Sequence, residues 1–493
     1  MSPSRPVGPI GVMAEHCLAR SPRGVVAAAA PAAARIGADA LAQGGSAYDA
    51  AVAAALAETV LLPPKCGLGG DLVALVWHRD RDEPEALLAI GGAPAGLAAV
   101  ASAGRLTETG PMSVGVPGAP AGYAALADRG VLGPAALAAP AIALATEGFC
   151  WSTICTVLAE ESRELVLAHQ PDGTRYFPGG EPIAPGAVVT LPGLARVLSA
   201  WAADGGALLA GDIGRAIVDR VRQAGGVLTT DDLATARAEW APAATAQFGA
   251  ERVWATPAPT HGPSLLDALG RLGGGHAPSD VIAAVRAAIE ERRHSLSDPS
   301  GTSMVSAVDR AGTIVTIVHS HSYPRFGSGL IVDDYDLILA NRAGRGFASE
   351  PGHPNFPEPG RRPATTLHAW ALAPVVGWRV VGATPGGANQ MPWNAQSVSR
   401  LLGAEAALTP VSLARAIVEP RWELRPDGGL RIEDGFEATE RAALVESGVA
   451  SGVGDAVDVE RWALRSAMQI VADAGGVLVA AVDPRTVGAV IPI

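Results

Sequence analysis

Residues 301–322 read GTSMVSAVDRAGTIVTIVHSHS. From Met304 to Val308 and again from Ile314 to Ser320, β-branched and polar residues alternate at period two, and Asp309–Gly312 supplies a turn between them. The pattern predicts a β-hairpin. With its centre near Ala311, Thr302 and Ser320 become cross-strand partners within side-chain reach of each other. A bulge would shift that register.

The first strand opens on a Gly301–Thr302 bond. A threonine hydroxyl is a weak nucleophile until a base takes its proton, and a threonine at a newly made N-terminus carries that base as its own α-amine. Such an amine titrates at about 7.7 to 8, so a useful fraction is unprotonated near neutrality. In the uncut chain the same hydroxyl can attack the carbonyl of Gly301 and give an ester that water opens. A Gly-Thr pair is also an ordinary strand start, and the residues alone leave both readings open.

The chain has 493 residues, 48% hydrophobic and 17% charged, enough for a large core in one or two domains. A formal net charge of -12 without a dense Lys/Arg run argues against a nucleic-acid partner. Cys17, Cys66, Cys150 and Cys155 fit neither a zinc site nor a disulfide framework and read as reduced core residues. No phosphate-binding loop or metal-ligand spacing is present, so neither metal nor organic cofactor is expected. The N-terminal residues lack a signal-peptide run and no segment has the apolar length of a membrane span, which makes a cytoplasmic location the expectation.

Residues 1–301 read as a helix-rich envelope. GGSAYDAAVAAALAETVLL is a helix of small residues with Ser46 as a candidate cap, and TTDDLATA places Thr230 as another. KCGLGGD is a glycine-rich turn into a strand, and GPMSVGVPGAPAGY reads as a packed turn rather than a regular element. Residues 302–493 are strand-rich, with strands expected at Leu330–Val332, Leu337–Leu339, Trp378–Val381 and Val477–Val482 and helices at Ala395–Leu402, Pro410–Val418 and Ala438–Ser447. Strands with helices outside them imply a layered α/β architecture.

GGSAYDAAVAAALAETVLLPPKCGLGGD, SVGVPGAPAG, PAIALATEGF, GGVLTTDDLA, GTSMVSAVDRAG, FGSGLIV, ATPGGANQ, EPRW and VDPRTVGAV together resemble, in order, the signatures of gamma-glutamyltransferases. The resemblance implies an N-terminal-nucleophile (Ntn) hydrolase fold, an αββα sandwich, cleaved from one precursor into a large subunit (1–301) and a small subunit (302–493) that stay associated. It sets Gly301 and Thr302 at the cleavage point, Thr302 as nucleophile and Ser320 as the hydroxyl beside it. Gly386 and Gly387 then become the backbone donors facing the oxyanion, a kind of donor worth about 3 kcal/mol in the transition state. Thr365 and Thr366 stand where the family carries a carboxylate-binding serine pair, and Ser322 joins the substrate-binding candidates.

Several features depart from the family. The arginine that holds the glutamyl carboxylate is absent from AIGGAPAGLA, and ANRAGRGF puts Arg342 and Arg345 near the place of the acid that binds the glutamyl ammonium. A guanidinium there repels an ammonium and binds a carboxylate through two hydrogen bonds. Met304 replaces a histidine, and the segment before the cleavage point is short. The expected activity is hydrolysis of a small anionic metabolite through an acyl-enzyme. One form of it is carbon-carbon cleavage that releases an oxalyl group, as in the branch of the family associated with 4-alkylproline units of lincomycin-like antibiotics. The alternatives are a γ-glutamyl hydrolase, transpeptidase or other acylase, and an unprocessed inactive homologue. A homo-oligomer is compatible with either.

Overall fold

The computed structural model describes residues 9–293, 302–373, 377–404, 408–449, 455–464 and 466–493. Gly301 and the SLSDPSG segment before Thr302 lie outside them. Two antiparallel seven-stranded sheets form the centre. One runs Ala489–Pro492, Gly24–Ala28, Ser303–Asp309, Ile314–Ser320, Asp71–Trp77, Glu85–Ala89 and Glu239–Pro242. The other runs Leu18–Ser21, Val477–Val482, Gln469–Ala474, Trp378–Ala383, Ala369–Ala373, Glu251–Ala255 and Ala244–Phe248.

The sheets pack through Val73, Leu75, Met304, Val308 and Val318 of the first against Ala369, Ala371, Val381, Val471 and Leu478 of the second. The outer face of the first sheet is covered by Ala47–Leu61, Ala119–Ala127 and their neighbours. The outer face of the second is covered by Gly262–Gly270, Pro278–Arg293, Gln390–Leu402 and Pro410–Val418. This is the αββα order. Among the described residues no helix is long and apolar enough to cross a membrane.

Helix Ala47–Leu61 is buried almost all round, so no polar face marks it; its start is fixed by a capping box between Ser46 and Asp49. It ends just before Pro63 and Pro64. The cap expected at Thr230 is Thr229 instead, because Asp232 stands three residues after Thr229 and completes that box. The GPMSVGVPGAPAGY turn is shorter than expected: helix Ala119–Ala127 begins inside it with Pro120 in its first turn. Residues 1–301 are more than an envelope, since they supply strands to both sheets. Cys17, Cys66 and Cys155 are buried free thiols, whereas Cys150, expected in the core, is exposed at a two-residue strand.

The hairpin of Ser303–Asp309 and Ile314–Ser320 pairs Ser303 with His319 and Val308 with Ile314, a register centred on Ala311. Gly70, at the foot of the neighbouring strand, packs directly on this hairpin. A Cβ there would lie 2.3 Å from the backbone oxygen of Ser320. We predict that Gly70→Ala destabilises the protein by about 1–3 kcal/mol through overpacking, read as a lower urea midpoint, with loss of activity from the displaced Ser320.

Candidate active site

Thr302 continues the strand Ser303–Asp309 outward by one residue. The same register sets it opposite Ser320, and Ser320 is paired in turn with Asp71. Met304, Val318 and Val73 face the space between the sheets, and alternation carries that face out to Thr302, Ser320 and Asp71. The three form a row across three strands. At about 4.8 Å between strands, the Asp71 backbone stands about 10 Å from that of Thr302.

Thr302 is buried, and its hydroxyl meets the side chain of Gln390. The amide orientation that satisfies all of Gln390's neighbours has Oε1 accepting from Thr302 Oγ1 at 2.7 Å and from the Gly387 N–H at 3.2 Å. Its Nε2 then donates to the backbone oxygens of Thr366 at 3.0 Å and Thr384 at 3.3 Å. One oxygen therefore lies within reach of both the hydroxyl and the glycine amide. Gly386 and Gly387 have φ of 149° and 65°, backbone that favours glycine and turns the chain into helix Gln390–Leu402. At Gly386 a Cβ would also strike the Trp393 ring at 2.3 Å.

On the other face of strand Ser303–Asp309 is a buried polar network. Ser303 Oγ donates to Glu58 Oε2 at 2.6 Å, His319 Nε2 lies 3.0 Å from the same oxygen, and the Ala29 N–H donates to Oε1 at 2.7 Å. Tyr123 OH lies 2.6 Å from His319 Nδ1. Ser303 and the Ala29 N–H already donate to this carboxylate, and the His319 tautomer that completes the set has Nε2 donating to it as well. Glu58, Cys66 and His319 form the one group among the described residues whose donor atoms lie close enough for a metal ion. Burial, followed by the Glu58 charge, pushes the Cys66 thiol well up from its ordinary value. A thiol held protonated is a poor ligand, and both oxygens of Glu58 are already engaged by the Ala29 N–H, Ser303 and His319.

The substrate-binding candidates separate clearly. Arg342 is 3% exposed and donates from Nε to Asp71 Oδ2 at 2.8 Å, while Asp71 Oδ1 accepts from Gly91 N at 2.9 Å. Neither Nη1 nor Nη2 of Arg342 has a hydrogen-bond partner among the described residues. Burial lowers the Arg342 guanidinium and raises the Asp71 carboxyl from their ordinary values, each opposed by the other's charge. Arg345 instead pairs with Glu108 and lies over the Tyr323 ring. Thr365 and Thr366 are fully buried, and Thr365 Oγ1 accepts from Leu367 N at 3.2 Å. Ser322 has φ 74°, donates its N–H to Ser320 Oγ at 2.7 Å, and leaves its own buried hydroxyl without a partner among the described residues.

The family model for gamma-glutamyltranspeptidase matches residues 33–300 and 276–493, and the chain belongs to that family. It is an Ntn-type hydrolase. It is 29% identical to the oxamate amidohydrolase proenzyme of Klebsiella pneumoniae, over 91% of this chain and 94% of the relative. It is 26% identical to the glutathione hydrolase-like YwrD proenzyme of Bacillus subtilis, over 92% and 95%. The crystal structure of a cephalosporin acylase from Bacillus halodurans superposes with a TM-score of 0.82 at 28% identity, covering 97% of each chain.

Gln390 and Glu58 were not singled out by sequence. Gln390 closes the ATPGGANQ motif, where a polar residue just past paired glycines was the available signal. Glu58 is the one acid inside the alanine-rich AAVAAALAETVLL run, a charge that needs a partner if the helix is buried. We predict that Gln390→Leu lowers kcat/KM about tenfold, because Thr302 Oγ1, the Gly387 N–H and the backbone oxygens of Thr366 and Thr384 lose the amide that orders them before substrate arrives. Glu58→Gln must set its amide N–H against at least one of the Ala29, Ser303 and His319 donors; urea unfolding should show a loss of about 1–3 kcal/mol, and maturation should slow in a mass-spectrometric time course.

Proposed function

We propose that scission after Gly301 frees Thr302 as the N-terminal nucleophile of an amidohydrolase acting on a small carboxylate-bearing substrate. The observation that carries this reading is the single oxygen position reached by both Thr302 Oγ1 and the Gly387 N–H. A substrate carbonyl that displaces the Gln390 amide meets a nucleophile and an oxyanion donor together. The α-amine takes the hydroxyl proton as Oγ1 bonds to the carbonyl carbon, then delivers it to the leaving nitrogen. Water repeats the sequence on the acyl-enzyme and releases the acid. Ser320, beside Thr302 in the row, steadies the nucleophile.

Substrate class follows from charge. Arg342, fixed through Nε, offers its two open Nη groups to a carboxylate, whereas Arg345 is neutralised by Glu108. Relatives called oxamate amidohydrolase and cephalosporin acylase support amide hydrolysis, and oxamate itself places a carboxylate next to the amide. Thr365, Thr366 and Ser322 then shape the pocket around Gln390 and Ser320. The large fragment 1–301 and small fragment 302–493 stay together after cleavage. On a 2-oxo acid the same attack would form an oxalyl ester on Thr302 as the carbon-carbon bond breaks, with a conjugated carbon leaving group taking the proton from the α-amine and water then releasing oxalate; the open Nη pair of Arg342 suits that carboxylate equally.

Intact-mass measurement of wild type and Thr302→Ala tests the reading. Wild type should give two fragments joined at 301/302, the variant one chain, with turnover of oxamate to ammonia and oxalate falling at least about a thousandfold. Brisk turnover of a γ-glutamyl anilide, or an uncleaved wild-type chain, would overturn it. Oxalate from a 2-oxo acid with none from oxamate would select the carbon-carbon form.

A further inference from the structure

A cavity of about 300 Å³ lies at the edge of the first sheet, and Thr302 is not among its lining residues. Its walls are apolar: Leu62, Ile154, Val157 and Val487. Besides Thr153 and Arg485, two polar side chains enter this lining. Lys65 is 9% exposed, and its ammonium has no hydrogen bond or ion pair among the described residues. Thr486 contributes a buried hydroxyl with no hydrogen-bond partner there.

The carboxylate that acts on Lys65 is occupied, and so is the other cation of the lining. The Glu58 carboxylate is shared among the Ala29 N–H, Ser303 and His319. Arg485 also lines the cavity, but its guanidinium is committed to Glu433, Asp483 and backbone oxygens. A third feature has the same sign. The 15-residue helix Thr153–Leu167 begins at the wall, with Thr153 and Ile154 lining the space. Ser152 caps Cys155 N and leaves the first helical N–H groups as open donors at the positive end of the dipole.

An unpaired buried cation is costly unless an anion joins it. We propose that this cavity is a binding site for a small amphipathic carboxylate, its head between Lys65, the Thr486 hydroxyl and the helix N-terminus and its hydrocarbon tail along Leu62, Ile154, Val157 and Val487. The volume suits a molecule of this size. Burial, then the charge of Arg325, holds the Lys65 ammonium below its ordinary value, a penalty that a bound anion relieves. The lining comes from both sides of the 301/302 bond, so the ligand braces the two parts of the chain.

Calorimetric titration of the full mature protein with hexanoate, 1-hexanol and inorganic phosphate tests this site. Hexanoate should bind, with hexanol and phosphate each at least about tenfold weaker, since one lacks the charge and the other the tail. Lys65→Met should weaken hexanoate at least about tenfold while leaving hexanol binding and turnover at Thr302 unchanged. Its melting temperature should not fall, because an unpaired buried charge is removed. Thr486→Val should weaken hexanoate severalfold and gives an independent check should the lysine variant misfold. Absence of hexanoate binding, equal binding of hexanol, or hexanoate binding untouched by both substitutions would overturn the proposal, the last by placing the ligand at the Thr302 site.

Discussion

The buried carboxylate of Glu58 is the constraint on which the placement of Thr302 rests. Taking a carboxylate out of water costs several kcal/mol, a cost that only hydrogen bonds from the protein offset. Its partners are the Ala29 N–H just past one strand, Ser303 at the head of the next and His319 in the third. One side chain on helix Ala47–Leu61 thus ties three adjacent chain segments to a common point. Tyr123, from helix Ala119–Ala127, holds the far nitrogen of His319 and brings a second helix into the same lock. Thr302 is the residue before Ser303, so its position is set from behind, on the face it does not use.

Much of this was legible because local pattern and tertiary demand agree. The hairpin shows period-two alternation in both strands and a turn whose Gly312 takes φ 79°, so its register could be read without the rest of the sheet. The strands Ala369–Ala373 and Gln469–Ala474 could not, since they are short, alanine-containing and buried almost throughout, and alternation disappears when both faces are covered. Arg342 and Arg345 sit three residues apart on a five-residue helix, and sequence could not tell them apart. The distinction lies in what each meets, Asp71 inside or Glu108 outside. Gln390 was hidden for the same reason: its role depends on an approach to Thr302 across 88 residues of chain.

The missing arginine of AIGGAPAGLA has a steric account. A Cβ on Gly92 would lie 2.7 Å from the backbone oxygen of Gly360, and Ala93 exchanges hydrogen bonds with residues 360 and 361 across that contact. The segment is sealed by backbone where a long side chain would have to emerge. Gly91 meanwhile gives its N–H to Asp71, the carboxylate that holds Arg342. A run that no longer carries the cation therefore helps to anchor one supplied from elsewhere in the chain, and the positive charge enters the row from the Asp71 end.

Scission at one bond would be ruinous if the two parts met along a single face. They do not. Gly24–Ala28 lies between Ala489–Pro492 and Ser303–Asp309, and Ile314–Ser320 pairs with Asp71–Trp77 in the same sheet. In the other sheet Leu18–Ser21 pairs with Val477–Val482, and Glu251–Ala255 with Ala369–Ala373. Separating the parts would break backbone ladders in both sheets and expose the apolar layer between them, a far larger loss than the chain entropy gained at one cut. A cut before Thr302 would leave the fold standing, because the strands on either side are held by one another rather than by that one bond.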